Sequence, residues 1–287
     1  MTILLVSSSE DPASTNIKDS LLSLHPWTPE GTFFSASVYR APALGDSLLV
    51  TIPDKKIRHE HLQEELHSTL HVTPTLAIFL SRHRSKTGEP TLTVHPIGNY
   101  ADAEFGGQPH TLVPAAPHAM TQLLRRIHTR VQQTNLPYKV CYEVTHHGPY
   151  LSIPTLFVEV GSTETQWQER PPAEVIAQAL LDLLPTLPAT PPDIPVLVGI
   201  GGGHYAPRFT DVALQRNIAF GHMLPTYHLT ETIDDEMLLH AFHATPGVTG
   251  AYLHRKELKK SQVTALTAWC TAHGIPVVSS NDLPLLP

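Results

Sequence analysis

The stretch Val196-Leu197-Val198-Gly199-Ile200-Gly201-Gly202-Gly203-His204-Tyr205-Ala206-Pro207-Arg208 decides how the rest of the chain is read. An apolar run of strand length empties into three glycines and then presents a histidine and an arginine. Adjacent glycines are costly to order. They let the backbone take positive φ and approach a ligand closely, with several N–H groups at once. This is not the G-x-G-x-x-G pattern of a dinucleotide site, because His204 stands where the third glycine would fall.

Outward from this strand, the same alternation continues. Upstream, apolar runs at residues 3–6, 48–52, 75–80, 92–94, 140–144 and 155–160 have strand length. Helical periodicity covers residues 14–24, 57–70, 120–131 and 171–184. Downstream, a helix near 209–215, a strand at 218–223, a helix at 234–243, a strand at 251–253, a helix at 259–273 and a strand at 276–278 complete the pattern. Such alternation predicts an α/β fold with a mixed, largely parallel central sheet covered by helices on both faces. The proline-rich residues 185–195 read as a surface loop, because strands on both sides are expected in one sheet, so residues 1–287 form a single domain. Ligands of such sheets bind beyond the C-terminal strand ends.

The bulk properties narrow the function. The 287 residues are 41% hydrophobic, enough for a real core. No apolar run reaches the roughly 20 residues that span a bilayer, and no signal peptide is read, so a cytoplasmic location without membrane partners is expected. Cys141 and Cys270 lie far apart and are expected to be reduced and buried. The net charge of −7 argues against a general nucleic-acid or DNA binder. A nucleic-acid enzyme of this balance needs local basic patches. Two are proposed: Arg125, Arg126 and Arg130 on the 120–131 helix, and Arg255, Lys256, Lys259 and Lys260 near the C-terminus. The 19 histidines equal Lys plus Arg in number, and histidine is both the commonest metal ligand and the usual base near neutral pH.

Candidate chemistry collects at strand ends. Glu143 sits in an apolar run just before Thr145-His146-His147-Gly148-Pro149, and Glu159 in another beside Gly161-Ser162-Thr163. A buried carboxylate needs a partner. Adjacent strand residues point to opposite faces, so His146 and His147 share one site only if the strand has ended there. Ser81-Arg82-His83, Thr93-Val94-His95 and Phe220-Gly221-His222 add three further histidines.

These blocks, with Gly98-Asn99, Gly106-Gly107 and Leu224-Pro225, occur in an order that resembles the signature blocks of the archaeal and plant D-aminoacyl-tRNA deacylases. The resemblance covers nearly the whole chain. It implies a three-layer α/β/α fold related to phosphorylase and peptidyl-tRNA hydrolase-like proteins. It implies a monomeric enzyme that hydrolyses D-aminoacyl-tRNA, including N-ethyl adducts, with a zinc requirement. On this reading His146, His147, His204 and Glu143 are the catalytic candidates. His83, His95, His146, His147, Glu159, His204 and His222 are the metal candidates. Gly201, Gly202, Gly203, Tyr205, Arg208 and Arg82 are the substrate-binding candidates, with the glycine amides offered to an oxyanion or phosphate. A mechanism in which the ribose hydroxyl or a water acts without metal stays open. So do two rival functions: a zinc-dependent hydrolase or phosphorylase-like enzyme acting on a small molecule, and a non-catalytic tRNA-binding or metal-storage protein.

Overall fold

A computed structural model describes residues 2–187, 193–229 and 234–286. The elements run β1 (Ile3–Ser8), α1 (Pro12–Leu24), β2 (Thr28–Phe33), β3 (Ala36–Ala41), β4 (Ser47–Ile52), α2 (Leu62–Leu70), β5 (Leu76–Arg82), β6 (Thr91–His95), β7 (Gly98–Asn99) and β8 (Thr111–Leu112). They continue with α3 (Pro117–Thr134), β9 (Lys139–Tyr142), β10 (Thr155–Gly161), α4 (Glu164–Gln168), α5 (Arg170–Leu183) and β11 (Val196–Ile200). The last are α6 (Pro207–Gln215), β12 (Ala219–Leu224), α7 (Asp235–His243), β13 (Gly250–Leu253), α8 (Lys260–Ala272) and β14 (Val277–Val278).

The strands form two principal sheets rather than the single one expected. Eight strands lie in the order β2-β3-β4-β1-β5-β10-β6-β9, and four in the order β12-β11-β13-β14. The smaller sheet is all parallel. The larger is parallel through β4, β1, β5 and β10, then antiparallel from β10 to β6. Strands on the two sides of the proline-rich connection therefore belong to different sheets; residues 188–192 of that connection lie outside the described residues. The mixed, largely parallel character holds. Both free cysteines are buried, as expected.

Alternation along the strands explains the layers. In β1, Ile3 and Leu5 face a core shared with α1, α3 and α5, whereas Leu4 and Val6 face a second core closed by α2 and the loops after β6 and β9. On α3, Met120, Leu123, Leu124, Ile127 and Val131 are all buried, the stripe its periodicity predicts. Helix α1 starts where Asp11 accepts the Ser14 N–H at 3.0 Å and Pro12 occupies the first turn. The hairpin β2–β3 escapes the sequence reading. Its two-residue turn, Phe34-Ser35, has positive φ at both positions but carries none of the Asn or Gly that signals such a turn.

The two sheets meet along the chain that continues β9. Val144 N–H donates to His204 O at 3.0 Å, Ala206 N–H to Tyr142 O at 3.0 Å, and Thr145 N–H to Met223 O at 3.0 Å. Residues 142–145 thus stitch the end of the large sheet to the segment after β11 and to β12. This seam carries the candidate chemistry.

Candidate active site

Side-chain parity brings the groups to one face. Val158 and Val160 of β10 point into the core under α1, α3 and α5, so Phe157 and Glu159 point the other way. His95, opposite Phe157 in the register, stacks on that ring at 5.5 Å. Strand β9 stops at Tyr142, which frees residues 143–147 to turn; His147 holds φ at +47°, in the left-handed region. Both His146 and His147 therefore reach the same place, as the Gly148-Pro149 signal suggested. The loop after β7 closes over them. A Cβ on Gly148 would lie 2.1 Å from Gly107 N, and one on Gly106 would lie 1.6 Å from Ile57 O, so backbone must pass backbone there. Glu60 accepts from Gly107 N–H and Tyr150 N–H, each at 2.7 Å, and pins the closure.

Two carboxylates and five imidazoles result. His204 Nε2 lies 3.0 Å and His146 Nε2 3.5 Å from Glu143 Oε2. His83 Nδ1 lies 3.1 Å from Glu143 Oε1 and 3.3 Å from Glu159 Oε2. His83 Nε2 meets Tyr205 Oη at 3.0 Å. His95 stacks on His146 at 4.3 Å, and His146 contacts His147 and His204 edge-on at 4.4 and 4.6 Å. Glu143 is fully buried and Glu159 nearly so, whereas the His204 side chain is 41% exposed. His204 is thus the imidazole most open to an incoming substrate.

The protonation pattern is set by burial against charge. Burial disfavours the His83 imidazolium, but the Glu159 and Glu143 carboxylates override it and hold the pKa up at about 10. His83 is accordingly a cation at neutral pH. Burial drives His146 well below the ordinary histidine value and His147 down to about 4, with neighbouring His95 adding to both shifts. Burial opposes ionisation of Glu143 and Glu159, yet their imidazole partners keep both carboxyls below the usual range.

The donor set fits a divalent cation. His95, His146 and His147 each commit Nδ1 to a backbone carbonyl: Pro96 O at 3.1 Å, Val144 O at 2.7 Å and Gly148 O at 2.6 Å. A carbonyl only accepts, so each Nδ1 carries a proton, and in the neutral form each Nε2 presents a lone pair. Burial favours that form at His146 and His147, whereas at His95 burial is outweighed by the Glu159 carboxylate, which raises the pKa. Ligand-capable atoms of these three lie within 4.8 Å of one another, as do those of His83, Glu143 and His204, and of His95, Glu143 and Glu159. His95 Nε2 and both Glu143 oxygens are buried, and the imidazole nitrogens 3.0–3.5 Å from Glu143 do not meet it with hydrogen-bond geometry. Acceptors crowded in this way are what a bound cation relieves.

Several sequence candidates lie elsewhere. His222 is fully buried; its Nε2–H donates to Val113 O at 2.9 Å and its Nδ1 accepts from Thr145 Oγ1 at 3.0 Å. Both nitrogens are used, so it belongs to the scaffold and not to the metal set. Gly201 N–H donates to Leu224 O and Gly202 N–H to Thr226 Oγ1, each at 2.8 Å, so these two amides are not free for an oxyanion. Gly203 is exposed and lies outside the cleft lining. Arg208 turns away, to Tyr252 Oη at 2.9 Å and Ser280 Oγ at 2.6 Å. Arg125 is spent on the carbonyls of Ala213, Arg216 and Ile218, Arg126 bonds Gln122, and Arg130 pairs with Asp182 at 2.6 Å. That helix face is not a free basic stripe. Arg82 does line the cleft, its guanidinium over the Trp167 ring at 5.0 Å.

The cleft above the cluster measures about 690 Å³. Its wall includes a buried pair that sequence reasoning missed, Lys56 Nζ on Asp11 Oδ2 at 2.5 Å, in which burial lowers the lysine pKa against the pull of Asp11. Asp11 also accepts the Arg82 N–H at 2.9 Å, which fixes the chain entering His83. Only an aspartate cap before α1 hinted at this pair.

His222 gives a stability test. Burial lowers its pKa to about 3, against about 6.5 in an unfolded chain. The neutral folded form therefore contributes stability that is present above about pH 6.5 and is lost as pH falls toward 3. His222→Phe is expected to cost about 2–4 kcal/mol at pH 8, because Thr145 Oγ1 and Val113 O lose their partner. It is also expected to remove about 3 kcal/mol of the acid destabilisation seen between pH 6.5 and 4. Urea midpoints across that range check both; parallel wild-type and variant curves would contradict the assignment.

Comparison with known proteins gives the family. A family model described as D-aminoacyl-tRNA deacylase matches residues 70–278, which include all five clustered histidines and both acids. The chain is 36% identical to a D-aminoacyl-tRNA deacylase of Methanosarcina acetivorans, covering 98% of this chain and 93% of that one. It is 34% identical to the Pyrococcus furiosus protein of the same name, over 88% and 90% of the two chains. The crystal structure of a conserved protein of unknown function superposes with a TM-score of 0.86 at 32% identity, over 99% of each chain. By family match, by identity along nearly its full length and by fold, the chain belongs to the D-aminoacyl-tRNA deacylase family.

Proposed function

We propose that this protein hydrolyses the ester joining a D-amino acid to the 3′ end of tRNA, releasing both, and that it does so at the seam between its sheets. The observation that carries this reading is the convergence of two acids and five imidazoles, with His83, His146, His147, His204 and Glu159 lining one cleft and Glu143 and His95 buried behind them, in a chain of this family. Ester hydrolysis needs a nucleophilic water, a counter-charge for the oxyanion and a proton for the leaving ribose oxygen.

In this reading Glu143, buried behind the cleft wall, takes the proton of the attacking water, and half-exposed His204, 3.0 Å away, carries one to the leaving oxygen. With two glycine amides spent on the fold and both His83 nitrogens taken by the carboxylates and Tyr205, cleft-lining Arg82 is the cation left to face developing negative charge. His95, His146 and His147 would hold Zn2+, which supplies Lewis acidity and lowers the pKa of water to about 7. Glu159 orients His83. Exposed Arg255, Lys256, Lys259 and Lys260 meet tRNA phosphates. The same proposal places the enzyme in the cytoplasm as a monomer, with N-ethyl-D-aminoacyl-tRNA as a further substrate; no described helix is long and apolar enough to cross a membrane. The rival small-molecule reading finds no support among the named relatives.

A deacylation assay tests the reading. D-Tyr-tRNA is expected to be cleaved at least about tenfold faster than L-Tyr-tRNA. Equal rates on the two enantiomers, or none on either, would remove the proposed activity.

A further inference from the structure

Two of the large exposed apolar side chains among the described residues, Phe105 and Tyr227, stand on the wall of the active-site cleft. An aromatic row runs inward from Tyr227, which is 59% exposed. Its ring lies 4.8 Å from the His228 imidazole, which lies 5.7 Å from Tyr100. Tyr100 is 6% exposed, lines the same cleft, and its hydroxyl has no hydrogen-bond partner. A buried phenol hydroxyl left alone is unfavourable. Nearby Thr145 Oγ1, which donates to His222 Nδ1 and accepts the Met223 N–H, makes no well-formed bond to it. The row thus offers an exposed ring face at one end and an unanswered polar group at the other.

We infer that this row seats the 3′-terminal nucleotide of the tRNA, with its base stacked on Tyr227 and a polar atom of the nucleotide bonded to the Tyr100 hydroxyl. The inference rests on the tRNA substrate proposed above. The ester sits on the ribose of that nucleotide, so its base must lodge in the cleft that holds His146 and His204. Every base has a π-face, and stacking on an exposed tyrosine holds it without reading sequence. The route outward is also cationic. Thr226, next to Tyr227, donates through Oγ1 to Glu257 O at 3.2 Å, which ties the ring to the segment bearing exposed Arg255, Lys256 and Lys259. The preceding phosphates would pass over those side chains.

The test uses a single-stranded oligonucleotide ending in CCA, with 2-aminopurine in place of the last adenine, titrated with the full chain. Stacking quenches its fluorescence. Wild type is expected to quench it; Y227A is expected to bind about 5- to 150-fold more weakly and to lose the quench, while Y227W restores both. Y100F is expected to bind about 3- to 10-fold more weakly with the quench retained. No quench by wild type, or Y227A binding like wild type, overturns the seat. Tyr227 is exposed, so Y227A is not expected to unfold. D-Tyr-tRNA deacylation measured on the same wild-type preparation keeps the two ideas apart. Turnover without a Tyr227-dependent quench ends this inference and leaves the substrate reading standing. A Tyr227-dependent quench without turnover does the reverse.

Discussion

Glu143→Gln is expected to lower kcat for D-Tyr-tRNA by about 10²–10⁴-fold with little change in KM. The substitution keeps the volume and removes the charge from the most connected atom pair in the site. Glu143 Oε2 faces both His204 and His146, and Oε1 faces His83. Without it the water loses its base, and His204 loses the carboxylate against which it gains and gives a proton. His83 keeps Glu159 at 3.3 Å, so its charge and its place beside Tyr205 survive in weakened form. Because Glu143 is fully buried, the neutral amide is not expected to unfold the protein; a buried charge is costly to hold, and its removal offsets the lost contacts. Single-turnover rates with enzyme in excess, beside thermal melts, separate chemistry from folding. A variant within threefold of wild type would take Glu143 out of the reaction.

What the sequence made legible and what it hid follow from how far each interaction reaches. Glu159 and Glu143 announce themselves because a carboxylate inside an apolar run is locally expensive, and the structure gives both their partners. His146 and His147 announce themselves through the adjacent Gly148, which the backbone crossing at Gly107 explains, and His204 through the glycines before it. His222 carries the same local signature, a histidine in a strand near glycine, yet serves the scaffold. Only Val113, more than a hundred residues away, and Thr145 distinguish it. Gly201 and Gly202 hold positive φ, and the partners of their amides, Leu224 and Thr226, come from the neighbouring strand and turn. The division into two sheets is likewise invisible to periodicity. Strand length and apolarity say that β11 is buried, not whether its neighbours are β12 and β13 or β9 and β10. The arginines of α3 read as a solvent-facing stripe, but α6 and the turn after it take Arg125 and α5 takes Arg130, leaving Arg126 on Gln122 of its own helix.

Metal analysis of the purified chain is expected to find about one zinc per protein, and His146→Ala to lose it. The argument is tautomeric. His95, His146 and His147 each direct Nδ1–H to a carbonyl, so in their neutral forms three Nε2 lone pairs face one another. Burial discourages protonation of His146 and His147, while at His95 burial is outweighed by Glu159, so a cation must displace a proton there. That arrangement is poor for an empty pocket and good for a cation. His204→Ala separates this set from its neighbour of His83, Glu143 and His204. If the three histidines hold the ion, His204→Ala retains it while losing deacylation; if the mixed set holds it, the metal goes with His204. Free zinc at about 100 times its Kd is expected to add about 2.7 kcal/mol of stability to the wild type and nothing to His146→Ala. Chelation is expected to reduce turnover at least about 100-fold, with zinc restoring it. Full activity in the chelated protein would instead leave the ribose hydroxyl and the carboxylates to do the chemistry. The Nε2 atoms of His95, His146 and His147 would then need water or substrate donors to account for their convergence.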